Sequence, residues 1–138
     1  MTTITELWSQ ENIPIRDALY MANGSSYDVV VNSTSWSGID FLKSFDLDAH
    51  LASDPEWVSS IEVTHTLELA DRDRLCCGEG SHGSEGFVGR IDKDGELKWV
   101  IYLEYSNPFI EIHLMDDFAV FRSSSDVLVK VDPDNPLR

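Results

Sequence analysis

From residue 57 onward the chain alternates short apolar runs with turn-forming clusters. The pattern is cleanest in residues 57–69. There Ile61, Val63, His65, Leu67 and Leu69 fall on one side, and Glu62, Thr64, Thr66 and Glu68 on the other. A period of two predicts a strand with one face in the core and one in water. On this reading His65 is a core histidine bonded to a backbone carbonyl. A one-residue slip would bury glutamates, so the register is strongly specified. Four further turns follow: Lys93-Asp94-Gly95, Ser106-Asn107-Pro108, Met115-Asp116-Asp117 and Ser123-Ser124-Ser125. Apolar runs separated in this way predict an antiparallel meander over residues 86–131. Asp92-Lys93-Asp94-Gly95 predicts a type I turn with the glycine left-handed. In the next run Leu97, Trp99, Ile101, Leu103 and Tyr105 share one face, while Val100 and Tyr102 make the other face apolar. That predicts a central strand covered on both sides.

The N-terminal third reads differently. Thr3-Ile4-Thr5-Glu6 fits a capping box with Thr3 as the cap, and Ile4, Leu7 and Trp8 share a helical face. Pro14 can open a second helical piece through Ala18, Leu19 and Met21, stopped by Asn23-Gly24. Residues 27–32 are β-branched and predict a strand. Residues 33–38 form a polar loop carrying Trp36, and the spacing of Ile39, Leu42, Phe45, Leu47 and Leu51 predicts one or two short helices over residues 38–52. Residues 71–85 are polar and glycine-rich and read as a long irregular loop. The expected architecture is one α+β domain over residues 1–138. It has a helical part at 3–52, a β-rich part at 57–131 and a tail at 132–138, with a mainly antiparallel sheet of about five to seven strands.

Charge narrows the function. The 138 residues include 25 Asp and Glu against 10 Lys and Arg, a formal charge of -15. Such a surface repels phosphate backbones and anionic lipid headgroups, so nucleic acid and membrane are poor direct partners and a basic protein is a good one. Acid also keeps a protein soluble with no partner at all. The two cysteines, Cys76 and Cys77, are neighbours and cannot reach ordinary disulfide geometry without strain. The opening residues lack the basic and apolar regions of a secretory signal. No apolar stretch approaches the roughly 20 residues needed to span a bilayer. The expected location is the reducing cytoplasm.

Motifs for chemistry are sparse. His50, His65, His82 and His113 are scattered, and Cys76-Cys77 lacks metal-ligand spacing, so neither metal nor cofactor is expected. Ser81 and His82 sit among glycines and glutamates, but without a strand-turn-helix elbow or a phosphate-binding lysine. No catalytic residue is assigned, and the expectation is a protein that is not an enzyme. The acids concentrate in connectors: Asp71 and Asp73, Glu79 and Glu85, Asp92 and Asp94, Asp116 and Asp117. Turns at one end of a meander would gather several of them into a field that steers a cationic partner, or into a merely solvated rim. Trp36 either anchors that partner or folds back over a sheet edge.

The block from Lys93-Asp94-Gly95-Glu96-Leu97-Lys98-Trp99 to Ser106-Asn107-Pro108-Phe109, in a small acidic chain without catalytic apparatus, resembles the immunity proteins of bacterial toxin systems, including contact-dependent growth inhibition. The resemblance implies a protein that binds one cognate toxin domain, often a basic nuclease, and covers its active site. It assigns no residue. Two other classes stay open: a nucleic-acid-mimicking inhibitor from a phage or mobile element, and an enzyme or small-ligand module using residues 71–85.

Overall fold

The computed structural model describes residues 1–137; Arg138, the last residue of the expected tail, lies outside them. Helix α1 (Thr3–Ser9) leads into β1 (Asn12–Pro14), β2 (Ala18–Met21), β3 (Ser26–Val31) and β4 (Ile39–Ser44). Helix α2 (Leu47–Ser53) follows, then β5 (Val58–Glu68), β6 (Arg74–Gly80), β7 (Gly86–Ile91), β8 (Leu97–Leu103), β9 (Phe109–Leu114), β10 (Ala119–Ser123) and β11 (Leu128–Val131). The strands form an eight-stranded sheet in the order β1-β5-β6-β7-β8-β2-β3-β4 and a three-stranded sheet in the order β11-β10-β9. Every strand pairing is antiparallel.

The large sheet is the middle of three layers, because both of its faces are apolar where it is central. One face packs on the small sheet through Leu19, Val29, Leu75, Cys77, Val88, Trp99 and Ile101 against Phe109, Phe121, Val129 and Val131. The other packs on the helices through Tyr20, Cys76, Phe87, Val100 and Tyr102 against Ile4 and Leu47. β8 behaves as expected of a doubly covered strand, with every residue but Lys98 buried. The expected turn after β7 is present: Gly95 is left-handed (φ 86°) and its N–H donates to Asp92 O at 3.0 Å.

Several expectations are overturned. The sheets hold eleven strands rather than five to seven. Residues 3–52 are not mainly helical; they contribute β1 to β4. Residues 18–21 form a strand because β8 and β3 bond to both edges of so short a segment, which has too few residues to nucleate a helix. Residues 39–44 pair with β3, burying Ile39, and α2 starts only where Asp46 caps it by accepting from Ala49 N–H at 3.2 Å. At α1 the cap is Thr2, not Thr3, and its side chain makes no cap bond; its hydroxyl donates to Ala22 O at 2.8 Å.

The largest correction concerns residues 71–85. They are not a loop but contain β6, an interior strand with Leu75, Cys76 and Cys77 fully buried. Its glycines permit close packing: a Cβ on Gly78 would lie 1.9 Å from Glu62 O. β5 also departs from a single two-residue alternation. Val63 pairs with Gly78 and His65 with Cys77, so Thr64 is a bulge and the faces exchange there. His65 is exposed in consequence, not a core residue. Tyr105 lies beyond the end of β8 and is 80% exposed.

Candidate functional site

The strand register decides which acids meet. Arg74 stands opposite Ile91, so the β5–β6 turn (residues 69–73) and the β7–β8 turn (residues 92–96) lie side by side. Lys93 N–H donates to Asp73 Oδ1 at 3.2 Å across them. Glu79 pairs with Gly86 at the opposite end of the same strands, so Glu79 and Glu85 are remote from the acids of these two turns.

Each turn at the first end is built by its own aspartate. Asp71 Oδ1 accepts from Asp73 N–H at 2.9 Å, and Asp92 Oδ1 accepts from the N–H groups of Asp94 and Glu96 at 2.8 and 3.0 Å. The β9–β10 turn closes through Met115 N–H to Phe118 O at 2.8 Å and leaves Asp116 and Asp117 exposed at its tip. Asp71, Asp116 and Asp117 line a cleft of about 430 Å³ together with Asp132, Asp134 and Arg90. Asp132 and Asp134 belong to the segment expected as a plain tail. Their spacing around Pro133 was the available signal, because Asp134 N–H donates back to Asp132 Oδ1 at 2.9 Å in another aspartate turn.

Beneath this rim lies Arg90, buried on β7. Its Nε donates to Asp73 Oδ2 at 3.0 Å and its Nη2 to Asp71 Oδ2 at 2.8 Å. Nη1 donates to Pro133 O at 3.0 Å and Asp134 Oδ1 at 2.7 Å, while Trp99 Nε1 donates to the same Pro133 carbonyl at 2.9 Å. Lys98 Nζ reaches Asp73 at 2.7 Å. The Lys98 ammonium and then the Arg90 guanidinium hold the Asp73 carboxyl below the usual carboxylate range. These two cations compensate Asp73, and Arg90 also pairs with the outer Asp71 and Asp134, whereas Asp116 and Asp117 are exposed and make no ion pair among the described residues.

The sequence-expected contact residues thus separate into classes. Asp116, Asp117 and Asp94 are exposed, and Asp71 and Asp92 are partly engaged in their turns. Asp73, 5% exposed, offers no surface because it is an internal partner of Arg90 and Lys98. Glu85, 3% exposed, is likewise internal: Oε1 accepts from His82 N–H at 2.8 Å and Ser59 Oγ at 3.2 Å. Glu79 is half-buried at the far end. Trp36 is 61% exposed and packs on Phe118, which lines the acidic cleft. It folds over the β11 edge, where Lys130 N–H donates to Ser37 O at 2.9 Å, with its ring 4.9 Å from that of Phe118 and 5.5 Å from Lys130 Nζ.

The residues weighed for chemistry do not converge. Ser81 Oγ and Glu85 Oε1 both face His82 Nδ1, at 3.4 and 3.2 Å, whereas a hydroxyl–imidazole–carboxylate relay uses the two ring nitrogens separately. Cys76 and Cys77 point to opposite faces of β6, and burial pushes both thiols up to about 12. Among the described residues no group of His, Cys, Asp and Glu is arranged to hold a metal ion, and no helix is long and apolar enough to cross a membrane. Compared with protein-family models, curated proteins and solved structures, the chain gives no match.

Proposed function

We propose that this protein is an immunity-type inhibitor that binds a basic toxin domain in the cytoplasm of the producing cell and blocks it. The contact surface is the acidic end of the large sheet, with Asp71, Asp92, Asp94, Asp116 and Asp117 facing the partner. One observation carries the reading. Two separate turns and the C-terminal segment bring carboxylates to one cleft, and its one lining arginine, Arg90, is buried and bonded to Asp71, Asp73 and Asp134. Fixed carboxylates on a stiff sheet raise the encounter rate with a cationic surface and can occupy the phosphate-binding cleft of a nuclease. A nucleic-acid mimic would instead spread its charges along one face.

Co-expression with the product of the adjacent gene tests this. Co-purification and loss of that product's toxicity are expected. A neighbour that is acidic, or that neither binds nor is silenced, would overturn the proposal.

A further inference from the structure

Trp36 is 61% exposed, yet the loop that carries it (residues 32–38) is tied down along its length. Asn32 Oδ1 accepts from Thr34 N–H at 3.1 Å, and Asn32 Nδ2 donates to Asp40 Oδ2 at 2.7 Å. Ser37 Oγ donates to Ile39 O at 2.6 Å. Gly38 is left-handed (φ 80°), and a Cβ there would lie 1.9 Å from Leu128 O, so glycine is what lets the loop reach β11. The indole is therefore presented to solvent on a fixed backbone, which leaves little conformational entropy to lose when a partner covers it.

Two hollows meet at this side chain. Trp36 lines one of about 240 Å³ together with Val31, Gly38, Val127, Leu128 and Lys130 among others. Phe118, whose ring packs edge-to-face on that of Trp36, lines the acidic cleft. Val31, Trp36 and Leu128 in the hollow and Leu114 in the cleft are all exposed, so an apolar strip continues from one to the other through Phe118.

The two hollows differ in charge, and the difference selects what fills each. In the first, Asp126 is paired with Arg122 at 2.7 Å, and Lys130 Nζ lies 5.5 Å from the centre of the Trp36 ring, where it repels a cation. Valine and leucine supply the rest of an apolar lining. Its volume is below the roughly 300–1,000 Å³ of small-molecule sites and suits one large apolar side chain of a protein. At the adjoining turn the signs reverse: Asp116 and Asp117, next to Phe118 in the chain, have no cation paired with them among the described residues and favour one from outside. A second copy of this chain brings its own charge of -15 and is disfavoured.

We infer that Trp36 and Phe118 anchor the partner: one of its large apolar side chains enters the hollow beside Trp36, and a neighbouring lysine or arginine lies over Asp116 and Asp117. An aromatic anchor bordered by charge concentrates affinity in few residues. The inference rests on the cationic partner proposed above and adds which side chains hold it once steering has delivered it.

The test uses the full chain, isotopically labelled, and two pentapeptides of equal charge, in which four lysines flank a central leucine or a central glycine. At low ionic strength the leucine peptide should bind about fivefold tighter and shift the Trp36 indole N–H and the amides of Gly38 and Leu128. The glycine peptide should shift amides of the acidic turns alone. Trp36→Ala should abolish the leucine advantage and Leu128→Ala should reduce it, while unchanged affinity for the glycine peptide reports that each variant is folded. Equal affinity of the two peptides at residues 115–118, or a leucine advantage that survives Trp36→Ala, would overturn the anchor and leave the acidic-end reading standing. Trp36 and Leu128 signals that broaden with protein concentration alone would make a second copy the occupant and overturn it likewise. If neither peptide shifts any amide of residues 92–95 or 115–118, the cationic-partner reading falls with it.

Discussion

Arg90 Nε donates to Asp73 Oδ2 at 3.0 Å, and both side chains are almost wholly buried. Removing one member of a buried ion pair leaves the other uncompensated and typically costs about 3–5 kcal/mol. Lys98 remains beside Asp73, which places Arg90→Met at the lower end, about 3 kcal/mol, or about 10 °C in Tm. Asp71 also bonds Arg90, but its side chain is 56% exposed, so Asp71→Asn should cost under about 1 kcal/mol. Thermal denaturation of the two variants checks the contrast.

Asp17 and Glu104 respond to pH in the opposite sense to Asp73. Burial raises both carboxyls, and Glu104 is raised further by Asp17 and Glu85 nearby. Groups that titrate higher when folded stabilise fully below their unfolded range and lose that contribution as pH rises through the folded value. Asp73, held low, stabilises above its unfolded range and loses its contribution only as pH falls through its depressed value. Arg122 likewise lowers Glu111 to about 2. Acidification from neutral pH should therefore first raise Tm and then, well below pH 4, lower it. Asp17→Asn should flatten the first limb and leave the second in place.

The glycines of β6 are structural. A Cβ at Gly78 would meet Glu62 O at 1.9 Å, whereas one at Gly83 would meet nothing within 4 Å. Gly78→Ala should cost about 2–4 kcal/mol by forcing β5 and β6 apart, and Gly83→Ala should change stability by about 0.5 kcal/mol or less. Denaturant titration with both variants decides it, and equal midpoints would mean that the β5 bulge yields freely.

The same glycines give this strand the composition of a loop. Residues 74–80 are short of branched side chains because β5 and its bulge crowd them, so a strand imitates a loop in composition. The meander was legible because its strands alternate and its turns carry their own chemistry, as at Asp92 and Gly95. Residues 18–21 and 39–44 were not, because their conformation is imposed by distant partners, β8 in one case and β3 in the other. At the candidate site the exposed acids of the turns were readable. The burial of Asp73 was not, since it depends on Arg90 seventeen residues away. A lone arginine inside the apolar run of β7 was the one available hint.

Cys76 and Cys77 should be inert in the folded protein. Both are fully buried on opposite faces of one strand, with thiols pushed up to about 12. The thiolate is the reactive form, so a disulfide reagent at pH 8 should label neither native cysteine and both after unfolding. Rapid labelling of either in native buffer would mean that β6 opens locally.

Charge reversal separates the outer acids from the inner ones. Asp116→Lys with Asp117→Lys changes only exposed turn residues, so stability should move by about 0.5 kcal/mol or less. Association with a basic partner should nevertheless slow about tenfold at low ionic strength, because steering depends on the field of the rim. Dissociation should change less. The dependence of the association rate on salt should also flatten, since screening has less attraction left to remove. Glu79→Lys lies at the opposite end of the sheet and serves as the control. Stopped-flow measurement across salt concentrations distinguishes the cases. Glu79→Lys carries half the charge change of the double reversal; if it slows association by half as much or more on a logarithmic scale, only net charge matters and the acidic end has no special role.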